Sequence, residues 1–63
     1  MALIVSPHDT VRCLSDYYFV RTGDTGRVVS EVWKDVCGYD KVTVHWDTLA
    51  RDVGVWCSCL EII

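Results

Sequence analysis

Four cysteines and two histidines are the residues whose types could bind a metal or carry redox chemistry: Cys13, Cys37, Cys57, Cys59, His8 and His45. Cys57 and Cys59 follow Trp56, but their spacing is Cys-x-Cys and no helix N-terminus follows to lower a thiol pKa, so a dithiol redox centre is not expected. A structural zinc site needs four ligands and is usually announced by Cys-x₂₋₄-Cys pairs, which this chain lacks. The expectation is therefore no metal and no cofactor. Cys13 and Cys57 read as small buried hydrophobes, Cys59 as a turn residue and Cys37 as a loop thiol. His45 falls on the outward face of an alternating segment and His8 follows Pro7 in an N-terminal arm, so both read as solvated. No Ser/His/Asp set or carboxylate pair carries a spacing that would place a base beside a nucleophile. The expected protein is not an enzyme.

The aromatic residues point elsewhere. Tyr17, Tyr18 and Phe19 are consecutive, and three consecutive rings cannot all enter one face of a strand. Some of them must meet solvent, and with a tryptophan nearby they would form an apolar groove suited to a protein partner. The expected docking surface is Tyr17, Tyr18 and Phe19 of the first loop with Trp33 and Tyr39 across the second, and with Asp16 and Asp35 steering a basic partner.

Bulk composition narrows the classes. With 63 residues, 51% of them hydrophobic, there is room for one small domain and no second core. Ordering such a chain costs on the order of 95 kcal/mol, so most apolar side chains must be buried. Nine acidic residues against six basic ones leave a formal charge of -3, with no basic run for a phosphate backbone. Arg12, Arg21 and Arg27 could act on nucleic acid only if the fold drew them together. The apolar opening Ala2–Val5 is too short for a secretory core or a membrane span, so a cytoplasmic protein with free thiols is expected, with two disulfides in any of three pairings as the alternative for a chain exported by another route.

The elements that must position these residues are short strands, because period-two alternation recurs while helical periodicity is poor. Residues 1–8 read as an arm and residues 9–63 as a single domain. Thr10 to Leu14 is a first strand with Val11 and Cys13 on one face. Ser15 to Thr25 is a long loop, with a strand-like stretch at Tyr17–Val20, closed by the turn signal Thr22-Gly23-Asp24-Thr25-Gly26. Arg27 to Lys34 reads as one second strand, bent because both its faces are apolar. Lys41 to Asp47 is the cleanest alternation, with Val42, Val44 and Trp46 inward. Val53 to Cys57 is a fourth strand, Ser58 to Leu60 one helical turn, and Glu61 to Ile63 a fifth strand. The fold class expected is all-β, a five-stranded SH3-like small barrel.

The segment from Asp9 to Val32 resembles the KOW type of SH3-like domain. The resemblance lies in Asp9-Thr10-Val11-Arg12 and in the Gly-x-x-Gly-x-Val pattern of Gly23-Asp24-Thr25-Gly26-Arg27-Val28. The stretch Val42-Thr43-Val44-His45-Trp46-Asp47 is similar to strands of short bacterial and phage SH3-like domains. The resemblance implies contacts with RNA or ribonucleoprotein partners through strand faces and loops. The proline-peptide signature of protein-binding SH3 domains, an Ala-Leu-Tyr-Asp-Tyr opening with paired tryptophans, is missing. The expectation is thus a noncatalytic binding or adaptor module that docks on a protein. The alternatives are a KOW-like RNA-associated module using Arg12, Arg21 and Arg27, and a homo-oligomer joined through open strand edges or exposed rings.

Overall fold

Alternating valines become the inner face of one antiparallel sheet. A computed structural model describes residues 5–17 and 19–63. Its strands are β1 (Thr10–Cys13), β2 (Thr25–Val28), β3 (Trp33–Lys34), β4 (Asp40–Trp46), β5 (Arg51–Trp56) and β6 (Leu60–Ile62), with a 3-10 turn at Cys57–Cys59. β1 pairs with β2 and β6, while β4 pairs with β2, β3 and β5, every pairing being antiparallel. β2 and β3 share one edge of β4, and β5 holds the other. The fold is all-β.

Val11, Val20, Val28, Val42, Val44, Val55 and Trp46 are fully enclosed, and Val5, Cys13, Cys57 and Leu60 complete the core. Each enclosed valine contributes about 1.5–3 kcal/mol relative to an exposed one, so the six together offset only a part of the chain entropy. Among the described residues Trp46 is the one large ring in this core, and its indole Nε1 donates to the Val53 carbonyl at 3.4 Å. The inward set Val42, Val44 and Trp46 is as the alternation predicts.

The expected single strand Arg27–Lys34 is interrupted. Opposite Val42 and Thr43 of β4 the chain places four residues, 29–32, because the pairing runs Val28↔Val44 and then resumes at Trp33↔Lys41. The surplus turns Val29 and Val32 out to solvent, where the alternation had put Val32 beside Val28. The ladder is mended locally: the Val29 amide donates to the Thr43 carbonyl at 2.9 Å, and the Thr43 amide donates to the Ser30 hydroxyl at 3.0 Å. Ser30 thus supplies from its side chain the acceptor that the bent backbone withdraws.

Two other boundaries move. β5 begins at Arg51, because a four-residue turn at 47–50, with Ala50 at φ 52°, closes the β4–β5 hairpin earlier than the polar residues suggest. Gly26 belongs to β2 and not to the preceding turn. A Cβ there would stand 2.5 Å from the His45 carbonyl oxygen and 2.7 Å from Val44 Cγ1, so only glycine lets β2 and β4 meet. The turn itself uses Gly23 at φ 92°.

The long first loop is tied down at both ends. Asp16 Oδ1 accepts from the Thr22 amide at 2.8 Å and from its hydroxyl at 2.9 Å, and Asp24 Oδ2 accepts from the Arg21 amide. Tyr17 and Val20 exchange two backbone hydrogen bonds of 2.7 and 2.8 Å. The strand-like stretch is therefore a tight fold-back that drives Val20 into the core. Tyr18 lies outside the described residues.

Candidate docking face

On the β4–β5 hairpin the outward pairs are Lys41↔Trp56, Thr43↔Gly54 and His45↔Asp52. Gly54 carries no side chain, and the Trp33 indole from β3 lies across the space; a Cβ on Gly54 would be 3.3 Å from Trp33 Cζ2. The Lys41 ammonium sits 5.3 Å from the Trp33 ring centroid and 5.8 Å from that of Tyr17, and donates to the Tyr17 hydroxyl at 3.3 Å. Tyr17 meets Trp56 edge to face at 5.4 Å, and Tyr39 meets the same indole at 6.0 Å and 55°. Two rings thus flank the Lys41 ammonium, and Trp56 and Tyr39 extend the cluster from Tyr17. Tyr39 is 62% exposed, Trp33 41% and Trp56 39%, while Tyr17 packs partly against the core. Between Tyr39 and Trp56 runs a shallow groove of about 280 Å³.

The second loop shapes one rim of that groove. Asp35 Oδ1 accepts the amides of Cys37 at 2.9 Å and Tyr39 at 3.0 Å, and Oδ2 accepts the Trp56 indole N–H at 3.4 Å. Partial desolvation works to raise the Asp35 pKa, but these three donors and the Lys41 charge outweigh it and hold the carboxyl below its ordinary range. Lys34 is closed off by Asp40 at 2.7 Å, whose hydrogen bond and charge raise the lysine's pKa.

Of the residues expected at the docking surface, the fold brings together Tyr17, Trp33, Tyr39 and Asp35. It does not bring Phe19: that ring is 67% exposed and lies 5.6 Å from the guanidinium carbon of Arg51, at the opposite end of β5 from Trp56. Asp16 faces Thr22 within the first loop, and those two bonds from Thr22 hold its pKa down. Trp56 and Lys41, central to the cluster, were outside the expected set. The signal for them was the hairpin: a four-residue turn after Trp46 makes residues 41 and 56 partners.

Of the three arginines, Arg12 forms an ion pair with Glu61 across β1–β6. Arg27 lies on the outer surface of β2 between Thr10 and His45, and Arg21 lies in the turn of the first loop. His45 is exposed, with Nδ1 2.8 Å from Asp52 Oδ1. Cys13, Cys37, Cys57 and Cys59 are free thiols, and burial pushes the pKa values of Cys13 and Cys57 up. Among the described residues no three His, Cys, Asp or Glu side chains gather to hold a metal, and no helix is long and apolar enough to cross a membrane.

The chain matches no protein-family model, no curated protein and no solved structure.

Proposed function

We propose that this chain is a noncatalytic binding module that docks on a protein partner through the face made by Tyr17, Trp33, Tyr39 and Trp56. The observation that carries the reading is the convergence of four rings on one side of the hairpin, three of them exposed, in a chain whose small core needs its apolar residues inside. Aromatic side chains of this kind supply most of the affinity at protein interfaces.

An SH3-like small barrel is the fold we propose for it. Taking β2 and β3 as one bent strand gives five strands in the order β5, β4, β2/β3, β1, β6, with a long first loop and a 3-10 turn before the last strand. The KOW-like RNA reading calls on Arg12, Arg21 and Arg27; with Arg12 paired to Glu61, a net charge of -3 weighs against it.

The test is affinity capture from the source cells with the wild type, with Tyr39→Ala/Trp56→Ala and with Arg12→Ala, each first shown to be folded by its amide spectrum. A protein held by the wild type and by Arg12→Ala, and released by the double aromatic variant, supports the docking face. Capture indifferent to the aromatic variant removes it. Light scattering of the purified chain decides self-association: a dimer dissolved by the aromatic variant would make a second copy the occupant.

A further inference from the structure

We infer that the groove between Tyr39 and Trp56 receives a cationic side chain of the partner, an arginine within an extended basic segment, stacked on the indole and donating to Asp35. This rests on the docking reading above and names the chemistry of the partner.

A carboxylate offers about four acceptor positions. Three of those on Asp35 are taken by the Cys37 amide, the Tyr39 amide and the Trp56 indole N–H. One acceptor position remains on the oxygen beside Trp56, at the rim of an apolar groove. An aliphatic or aromatic occupant would desolvate that position without giving it a donor, and an acidic one would set two carboxylates together. A guanidinium satisfies both surfaces at once: its plane lies on the ring and its edge N–H reaches the oxygen.

The same cluster already holds a cation in this way. Lys41 lies over Trp33 and Tyr17, so two of the four rings face its ammonium. The Lys41 charge, which Asp35 already feels, opposes a second cation, but the wider charge favours one. Lys34 is neutralised by Asp40. Asp9, Asp16, Asp24 and Asp47, like Asp35, are hydrogen-bonded by amides, hydroxyls or an indole and form no ion pair with a base among the described residues. Their negative charge attracts a basic segment at long range, and Asp35 fixes where one of its side chains lands.

The experiment titrates the ¹⁵N-labelled chain with a blocked Arg-Gly-Arg-Gly-Arg peptide and with its citrulline counterpart, which keeps the shape and lacks the charge. Saturable shifts at the Trp56 indole N–H and at the Cys37 and Tyr39 amides, absent with citrulline, are expected. Asp35→Asn, which can still accept from the loop amides, should weaken binding about fivefold, and Tyr39→Ala, at an exposed position, should weaken it as well. Equal binding of the citrulline peptide would overturn the inference. So would shifts confined to the surroundings of Asp9, Asp16, Asp24 and Asp47 and unchanged in Asp35→Asn. Partner capture that is lost in Tyr39→Ala/Trp56→Ala, retained in Asp35→Asn and not competed by the arginine peptide would leave the docking face standing and remove the cation. Capture that ignores the aromatic pair removes both.

Discussion

Lys41 and Trp56 stand directly opposite each other on β4 and β5, and this one pairing joins the two halves of the aromatic face. Lys41 reaches toward Tyr17 and Trp33, while Trp56 reaches toward Tyr17, Tyr39 and Asp35. Residues from the first loop, the second loop and β3 therefore converge because two neighbouring strands are in register.

The two strand glycines should respond differently to the same change. Gly26→Ala drives a Cβ into the His45 backbone carbonyl and Val44, and is expected to destabilise by about 3 kcal/mol. Gly54→Ala presses only on the free end of the Trp33 indole, so stability should stay within about 0.5 kcal/mol. Its near-ultraviolet dichroism should nevertheless change as the ring is displaced. Urea unfolding of both variants checks the contrast.

Ser30→Ala removes the hydroxyl that accepts the Thr43 amide at the interruption between β2 and β3. A half-buried donor left without a partner costs about 1–3 kcal/mol. The Thr43 amide should exchange with solvent markedly faster than its neighbours Val42 and Val44, and unchanged protection there would refute the role given to Ser30.

Asp16 and Asp35 should make the protein sensitive to acid. Both carboxyls lie below the ordinary value of 3.8 in the folded chain, so each binds protons more weakly folded than unfolded. The stability they contribute is fully present above 3.8 and is lost as pH falls through the lowered folded value. Asp16→Asn and Asp35→Asn should each flatten the loss of stability measured by urea unfolding between neutral pH and strong acid.

The four thiols should label in a fixed order. Cys37 is exposed in the second loop and Cys59 partly so, whereas Cys13 and Cys57 are buried with raised pKa values. Reaction with a thiol reagent under native conditions should modify Cys37 first and spare Cys13 and Cys57 until urea unfolds the chain. Rapid labelling of Cys13 in the native protein would contradict the packing described.

Val20→Ala should loosen the first loop more than the sheet. Val20 is the loop's apolar anchor in the core, and shortening it costs about 2 kcal/mol. The Tyr17–Trp56 ring contact should weaken with it, visible as lost ring-to-ring NOEs, while the β4–β5 amides keep their positions.

What could be read from residues alone was what depends on period two. The inward set Val42, Val44 and Trp46, the pairing of Val11 with Cys13 on one face and the helical turn before the last strand all follow from local alternation or a short turn signal. The aromatic face was legible only in part, because it is assembled by register between distant segments. Tyr17 and Phe19, two residues apart, were expected to act together. The fold-back bonds between Tyr17 and Val20 send one ring to Trp56 and the other to Arg51. Trp56 was one of two tryptophans that could stand near the first-loop rings, and only the hairpin length, which set it opposite Lys41, put it at the centre of the face. Gly26 looked like a turn residue because glycine marks close backbone approach as well as reversal, and only the neighbouring strand tells the two apart.

The interruption at residues 29–32 adds two residues relative to β4. Residues 31, 32 and 33 are all exposed, so side chains do not alternate through the interruption, and the side that Trp33 takes is set by its own pairing with Lys41. Trp33 consequently reaches the same outer surface as Lys41, although the strand that should have delivered it is broken. The aromatic face thus depends on the Trp33–Lys41 pairing and not on the length of the bend, and a one-residue insertion at Glu31 that keeps this pairing should leave the indole on the same surface.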